Sequence, residues 1–481
     1  MRGACVHFGP VQADRASDPL PAREDSPPVA GATDDAEDAA GEGERPWWRP
    51  SRAIVLVVAS AFALRLAWVA MAGHEPTVLS DASLYMRYAR EIAAGDGYIA
   101  PGVFLSPGHL PTAYHPIGYP GLLGGLFWIG NALGAHDEAF LANLLNVVLG
   151  TATVGLVYAI ASRLFDRTVA LVAAGMVAVW PNLIFYSSSV MSETAFAFTV
   201  VLAVWIAIDV PWPEGLTVRR GAAYGLVLGA SVLIRPFSAL LLLLAVVAPL
   251  VGGIPWARVW RFAVVAMLGV VVVVLPWTIR NAIQMHGFVP VATNVGDLLC
   301  IDNSPGATGA LRHAEQCPEP AAFRYSAKAE IDANQRNTVY SLRWAISHPV
   351  VEAWLLPQRF YYGYQGDHDG LDEALRQRPN ERSLIREHAA QVSLIADVYF
   401  FVALAFAGFG LGWFLSRSRP RRLFVALAAL ALAATPLYTY GLPRFHVPAS
   451  PLLAILAAPA VTALARAVKT ARSEGSASAA A

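Results

Sequence analysis

Asp81 stands in Ser-Asp-Ala-Ser-Leu-Tyr, just beyond a first long apolar run, Ala53 to Ala72. A carboxylate held where a membrane span meets water can act as a base on substrates from either phase. The competing reading is a solvated acid at a helix start, common after Ser. Glu193, in Ser-Val-Met-Ser-Glu-Thr, lies in a short turn between two apolar runs and so at the same membrane face. Its plainer role is an N-terminal helix acid favoured by the dipole. Three arginines share that face. Arg235 precedes Pro236 in a very short connection, Arg280 follows Pro276-Trp277, and Arg444 lies in Tyr-Gly-Leu-Pro-Arg-Phe-His-Val-Pro with His446 beside it. Cations there run against the usual charge bias, and an anionic phosphate suits a bidentate guanidinium. Snorkelling to lipid headgroups is the alternative for each.

Further polar and aromatic residues surround this set. Arg65 lies inside the first apolar run, ~20 Å of helix from Arg52. A charge there is costly, so it should face an acid or a polar cavity, with orienting Asp81 or Glu193 as one role and snorkelling as the other. Tyr85, Tyr88 and Ala89 recur at helical spacing, which predicts a short interfacial helix with its rings at headgroup level, ended by Gly95-Asp96-Gly97. Tyr114, His115, Pro116, Gly118, Tyr119 and Pro120 then make a turn-rich aromatic corner. His74, His109 and His115 fall in the same loop, but no spacing such as HxxxH supports a metal. No metal ligand is assigned, and a divalent metal stays open as a cofactor.

The elements that must position these residues are membrane helices. With 56% hydrophobic and 15% charged residues, the chain is too apolar for an ordinary soluble protein, and several runs reach bilayer-crossing length. Residues 1–50, rich in Ala, Pro, Gly, Asp and Glu, read as a disordered acidic cytoplasmic tail. Residues 51–279 form a transmembrane catalytic module with a first extracytoplasmic loop at 73–136. Residues 280–397 form a second, polar extracytoplasmic region, 398–466 the C-terminal spans, and 467–481 a cytoplasmic tail. If Ile117–Leu133 does not cross, the pairs Arg163/Arg167, Arg219/Arg220 and Arg258/Arg261 all face inward, as do Arg417, Arg419, Arg421 and Arg422. The expectation is an all-α polytopic membrane protein of roughly ten spans with two large extracytoplasmic loops. Cys300 and Cys317 flank a Pro/Gly-rich stretch in the second loop, where a disulfide and two free thiols are equally open. The balanced charge and the lack of a basic, aromatic-interleaved patch argue against nucleic acid.

The order of these motifs resembles a known family. An Asp after the first span, Y-x-x-x-A, G-x-G-Y, Y-H-P-x-G-Y-P, the S-E turn, I-R-P, P-W-x-x-R-N and a distal P-R-F look like the GT-C glycosyltransferases. Among these the chain is similar to the bacterial family 39/83 set, related to protein O-mannosyltransferases and the lipid A aminoarabinose transferase. The resemblance implies a bacterial inner-membrane enzyme that takes a sugar from a polyprenyl-phosphate donor to a glycan, lipid or protein acceptor on the extracytoplasmic side, with inversion. It implies Asp81 as general base, Glu193 as the second acid, and Arg235, Arg444 and Arg280 beside the lipid phosphate. His446, Arg65, Tyr85, His115 and Tyr119 complete the expected donor site. Two departures stand out. Ala113-Tyr114-His115-Pro116 replaces the Glu-Lys-Pro-Pro of the aminoarabinose pattern, and Asp81-Ala82 replaces the paired acids of the mannosyltransferases. A transporter or flippase for a lipid-linked or small solute is the rival reading. It would need polar features at both faces and paired broken helices, whereas the unusual charges here gather at one face.

Overall fold

The computed structural model describes residues 51–100, 110–311, 326–377, 383–416 and 418–480. Apolar sequence with few turn residues folds into helices because the bilayer offers backbone groups no partner but their own. In chain order these are α1 (Arg52–Ala72), α2 (Asp81–Ala94), α3 (Gly118–Ala132), α4 (Glu138–Leu164), α5 (Arg167–Ala178), α6 (Pro181–Phe185), α7 (Glu193–Ile208), α8 (Val218–Ile234), α9 (Leu240–Val251) and α10 (Trp256–Met285). Then follow α11 (Val295–Asp302), α12 (Ala327–Ser347), α13 (Pro349–Gly363), α14 (Asp369–Arg376), α15 (Leu384–Glu387), α16 (Ala389–Gly410), α17 (Pro420–Ala433), α18 (Thr435–Tyr438) and α19 (Ser450–Ala480). Among the described residues no strand forms, and pairing is limited to isolated bridges such as Ile99 with Pro111 and Ala310 with Gly441.

Five helices among the described residues are long and apolar enough to cross a membrane, six if the bent pair α5–α6 is one span. Two shorter apolar helices, Glu193–Ile208 and Pro236–Val251, stand beside them. The ten crossings expected are thus not confirmed by length and composition, because short helices and a break before Pro181 interrupt the apolar runs. The stretch read as non-crossing forms α3, only 15 residues long.

Two packing features matter for the site. Gly221, Gly225 and Gly229 make a seam on α8 that presses directly on α10. A Cβ at Gly225 would sit 2.1 Å from the Ala266 carbonyl oxygen, and one at Gly269 would sit 2.9 Å from the Gly225 carbonyl carbon. Small residues let these backbones touch. At the end away from the site, Asp209 pairs with Arg163 (3.0 Å) and Arg220 (3.5 Å), and Asp166 with Arg466 (2.9 Å). Arg421 and Arg422 donate to the carbonyls of Ile208 and Leu164. Arg163, Arg220, Arg421 and Arg422, four of the basic residues expected to face inward, thus gather at one end of the bundle.

The polar region after Arg280 is helical too. The helical composition read over Ala327 to Trp354 is split at His348-Pro349 into α12 and α13, since proline lacks the donor to continue a helix. Cys300 is buried and disulfide-bonded, while Cys317 lies outside the described residues.

Candidate active site

Ser80 and Ser83 close a capping box at the start of α2, which puts Asp81 at its first helical position. The helix ends at Gly95 in a left-handed conformation (φ 93°), as the Gly-Asp-Gly predicts. The rings are turned into the protein, however. Tyr85 and Tyr88 are buried, because α2 packs its aromatic face on the Tyr114–Tyr119 corner. Tyr85 meets His115 and Tyr119 edge-on at 5.4 and 5.5 Å, and Tyr88 stacks on Tyr98 at 4.5 Å.

Arg444 reaches Asp81 from the far end of the chain. Its Nη1 donates to Asp81 Oδ2 at 2.8 Å, and His115 Nε2 lies 3.6 Å from the other carboxylate oxygen. Burial alone would raise the Asp81 pKa, but the charge of Arg444, with His115 close by, overcomes it and holds the carboxyl well below the usual range. Asp81 still keeps 31% of its side chain accessible and Arg444 22%, so the pair opens onto solvent or substrate. The Arg444 Nε is buried without a hydrogen-bond partner among the described residues.

The second acid is paired differently. Glu193 is fully buried at the first turn of α7, and Arg235, the C-cap of α8, donates to its Oε1 at 2.5 Å and to Ser192 Oγ at 3.2 Å. Phe196 and Phe445 flank the guanidinium, each ring centroid 5.8 Å away. Glu193 Oε2 has no hydrogen-bond partner among the described residues. Glu193 and Asp81 thus each hold an arginine, and the two pairs meet around Phe445, over which Arg444 also lies at 5.5 Å. Tyr119 is buried beneath Tyr85.

Three expected site residues have local duties instead. Arg65 donates to the carbonyls of Ala61, Val177 and Ala178, where the break after α5 frees backbone acceptors, and makes no ion pair with Asp81 or Glu193. Arg280 donates to Thr112 O at 2.8 Å and to Tyr98 O and lies over the Trp277 ring at 4.9 Å, clamping the first loop. His446 is fully buried, with Nδ1 2.8 Å from Gly363 O and Nε2 3.1 Å from Asp367 Oδ1, sandwiched between Tyr364 and Phe400. Its neighbourhood shows what sequence reasoning missed. Gly366-Asp367-His368-Asp369-Gly370 docks on the broken span, with Asp367 accepting from Trp180 and Asn182 at 2.7 Å and Asp369 from Tyr186. Burial raises Asp369 to about 6. The buried Glu330 of α12 was also missed. It accepts from Thr112 Oγ1 (2.7 Å), Ala113 N (3.1 Å) and Thr293 Oγ1 (2.5 Å), and so pins the corner that carries His115. The density of acids and His between two glycines was the available signal for the first group, and Glu330 had none.

Asp81 and Glu193 are engaged by arginines, no group of three His, Cys, Asp or Glu is placed as ligands among the described residues, and His109 lies outside them.

This arrangement of helices is the GT-C fold. More narrowly, residues 120–279, about a third of the chain, match the family model for dolichyl-phosphate-mannose-protein mannosyltransferase. The apo oligosaccharyltransferase of Archaeoglobus fulgidus is similar with a TM-score of 0.52 at 14% identity, covering 89% of this chain and 53% of that one. The same enzyme, AglB, in complex with an inhibitory peptide and a dolichol-phosphate gives 0.51 at 14%, over 89% and 52%. ArnT from Cupriavidus metallidurans bound to undecaprenyl phosphate gives 0.47 at 17%, over 85% and 60%. The chain spans about half the length of the archaeal enzyme. No curated protein matches it by sequence.

Proposed function

We propose that this chain transfers a sugar from a polyprenyl-phosphate donor to an acceptor hydroxyl at the extracytoplasmic face of a bacterial inner membrane. The observation that carries the reading is the Asp81–Arg444 pair, an accessible carboxylate and guanidinium 2.8 Å apart at one end of a GT-C bundle. Asp81 takes the acceptor proton as its oxygen attacks the anomeric carbon, and the bond from that carbon to the lipid phosphate breaks with inversion. Arg444 faces both events. With 22% of its side chain accessible, the guanidinium can also meet the leaving phosphate. As that charge grows, the guanidinium shifts its attraction from Asp81 to the phosphate, so the carboxylate becomes more basic when the proton must move. Arg235 and Glu193 brace the wall beside it, and His115, Tyr85 and Tyr119 shape it. The dolichol-phosphate in the AglB complex, as its structure is titled, is a sugar-free carrier of the same polyprenyl-phosphate class as the leaving group.

The test is turnover of radiolabelled undecaprenyl-phosphate sugars by purified protein with membrane extract supplying acceptors, wild type beside Asp81→Asn. Sugar should leave the lipid with wild type and not with the variant. Equal turnover in both removes Asp81 as the base. No turnover with any donor by folded protein removes the transferase reading.

A further inference from the structure

α13 is inside out. Its charged residues, Glu352 and Arg359, face the protein, where Arg359 pairs with Asp302 at 2.6 Å and with Glu352 at 2.8 Å. Arg359 and Asp302 are buried. The opposite face carries Val350, Trp354 and Tyr361 at helical spacing, 81%, 69% and 62% exposed, with Leu356 and Phe360 beside them and no charge among them. Water-soluble surfaces do not normally leave a contiguous patch of this kind open. Polar inside and apolar outside is what hydrocarbon selects.

The depth of α13 points the same way. Tyr364, the residue after the helix, stacks on Phe400 of α16 and donates to the carbonyl of Ala433, the last residue of α17. From Phe400 to the far end of that span at Trp413 is ~20 Å of helix, while the hydrocarbon core is ~30 Å thick. With Trp413 taken at the far boundary and the span upright, the end of α13 falls roughly 10 Å below the hydrocarbon boundary on the site's side. α16, which Tyr364 touches through Phe400, exposes apolar residues of its own at Leu394, Val398 and Phe401.

We propose that α13, within the region read from its polarity as a loop outside the membrane, lies in the bilayer leaflet on the site's side, with its Val350–Trp354–Tyr361 face against lipid. The helix is then a lipid-contacting wall that holds the Arg359–Asp302 pair, α11 and the Gly366–Gly370 segment at membrane depth. This surface does not depend on the transfer chemistry.

The experiment is nitroxide accessibility in liposomes of phosphatidylethanolamine and phosphatidylglycerol. Trp354→Cys, Val350→Cys and Tyr361→Cys are labelled in turn in a full chain whose Cys5 is replaced by Ser and whose Cys300 disulfide is left intact. Lys328→Cys, with its side chain 79% exposed on α12, is the water reference, and Val272→Cys on α10 the lipid reference. Collisions of the α13 labels with oxygen should exceed those with a nickel chelate several-fold, as at position 272. Chelate access equal to that at 328 would overturn the proposal. Shielding from both reagents would overturn it too, since protein would then cover the face. Three separate positions keep the test open if one variant fails to fold.

Discussion

Arg444→Met is the most informative single change. Methionine keeps much of the volume but removes the charge that holds Asp81 ionised and the donors offered to the leaving phosphate. Losing one donor aimed at charge that develops in the transition state costs ~2.7–4 kcal/mol, or a factor of ~10²–10³ in kcat. The pH profile should change as well. In the wild type, burial pushes the Asp81 carboxyl up while Arg444 and His115 pull it well below the ordinary carboxylate range. The base is therefore ionised at every pH at which the protein is handled, and the acid limb of kcat/KM should be out of sight. Without Arg444, burial is opposed only by His115, so the pKa rises. Activity should then fall as pH drops through the raised value, a limb that moves toward neutrality. Arg444→Lys keeps a charge, so it should restore the flat profile while recovering only part of kcat. The assay is initial release of labelled sugar from undecaprenyl-phosphate donor between pH 4 and 8. A loss under tenfold in Arg444→Met with a flat acid limb would refute the reasoning.

Removing Arg235 strands a fully buried carboxylate, so Arg235→Leu should destabilise by ~3–5 kcal/mol, while Arg235→Leu with Glu193→Leu should recover most of that. Denaturant unfolding in mixed micelles reads the cycle, and equal single and double mutants would deny the coupling. Asp369, at about 6 in the fold, binds its proton more tightly than an unfolded aspartate near 3.9. Stability from this group is present below about pH 4 and is lost as pH rises through about 6, an effect of order 3 kcal/mol. Asp369→Asn should flatten that dependence and stabilise the protein at pH 7 but not at pH 4, which the same unfolding series at several pH values measures. Glu330→Ala leaves Thr112, Thr293 and the Ala113 amide without their acceptor. It should cost ~1–3 kcal/mol and raise protease sensitivity in the first loop, and no change in the cleavage pattern would remove Glu330 as the pin of that corner.

The apolar runs made the membrane class legible, and the motif order made the GT-C fold legible before any coordinates. All four members of the two ion pairs were legible by type as charges where charge is expensive. Their partners were not, since Asp81 and Arg444 are 363 residues apart and no local pattern joins them. Arg65, Arg280 and His446 carry the same signal of costly charge, yet they serve backbone carbonyls and a buried Asp. A sequence does not show which carbonyls a broken helix leaves open. The rings of α2 were misplaced for a related reason. Tyr at helical spacing suits a headgroup surface and an aromatic core equally well, and only the docking of the Tyr114–Tyr119 corner decides. α13 escaped because its polarity was averaged with that of its neighbours.

The glycine seam between α8 and α10 has a bearing on how the site can work. Where two backbones touch along about two helical turns, neither helix slides or tilts without losing close contact with the other. Arg235 caps one of these helices, and Arg280 lies near the end of the other. The chain has in effect built a jig, a stiff plate with two cations mounted at its rim. On the proposed reading, a lipid entering there meets this plate on one side and Arg444, carried on the short 3-10 turn Pro443–Phe445, on the other side of Phe445.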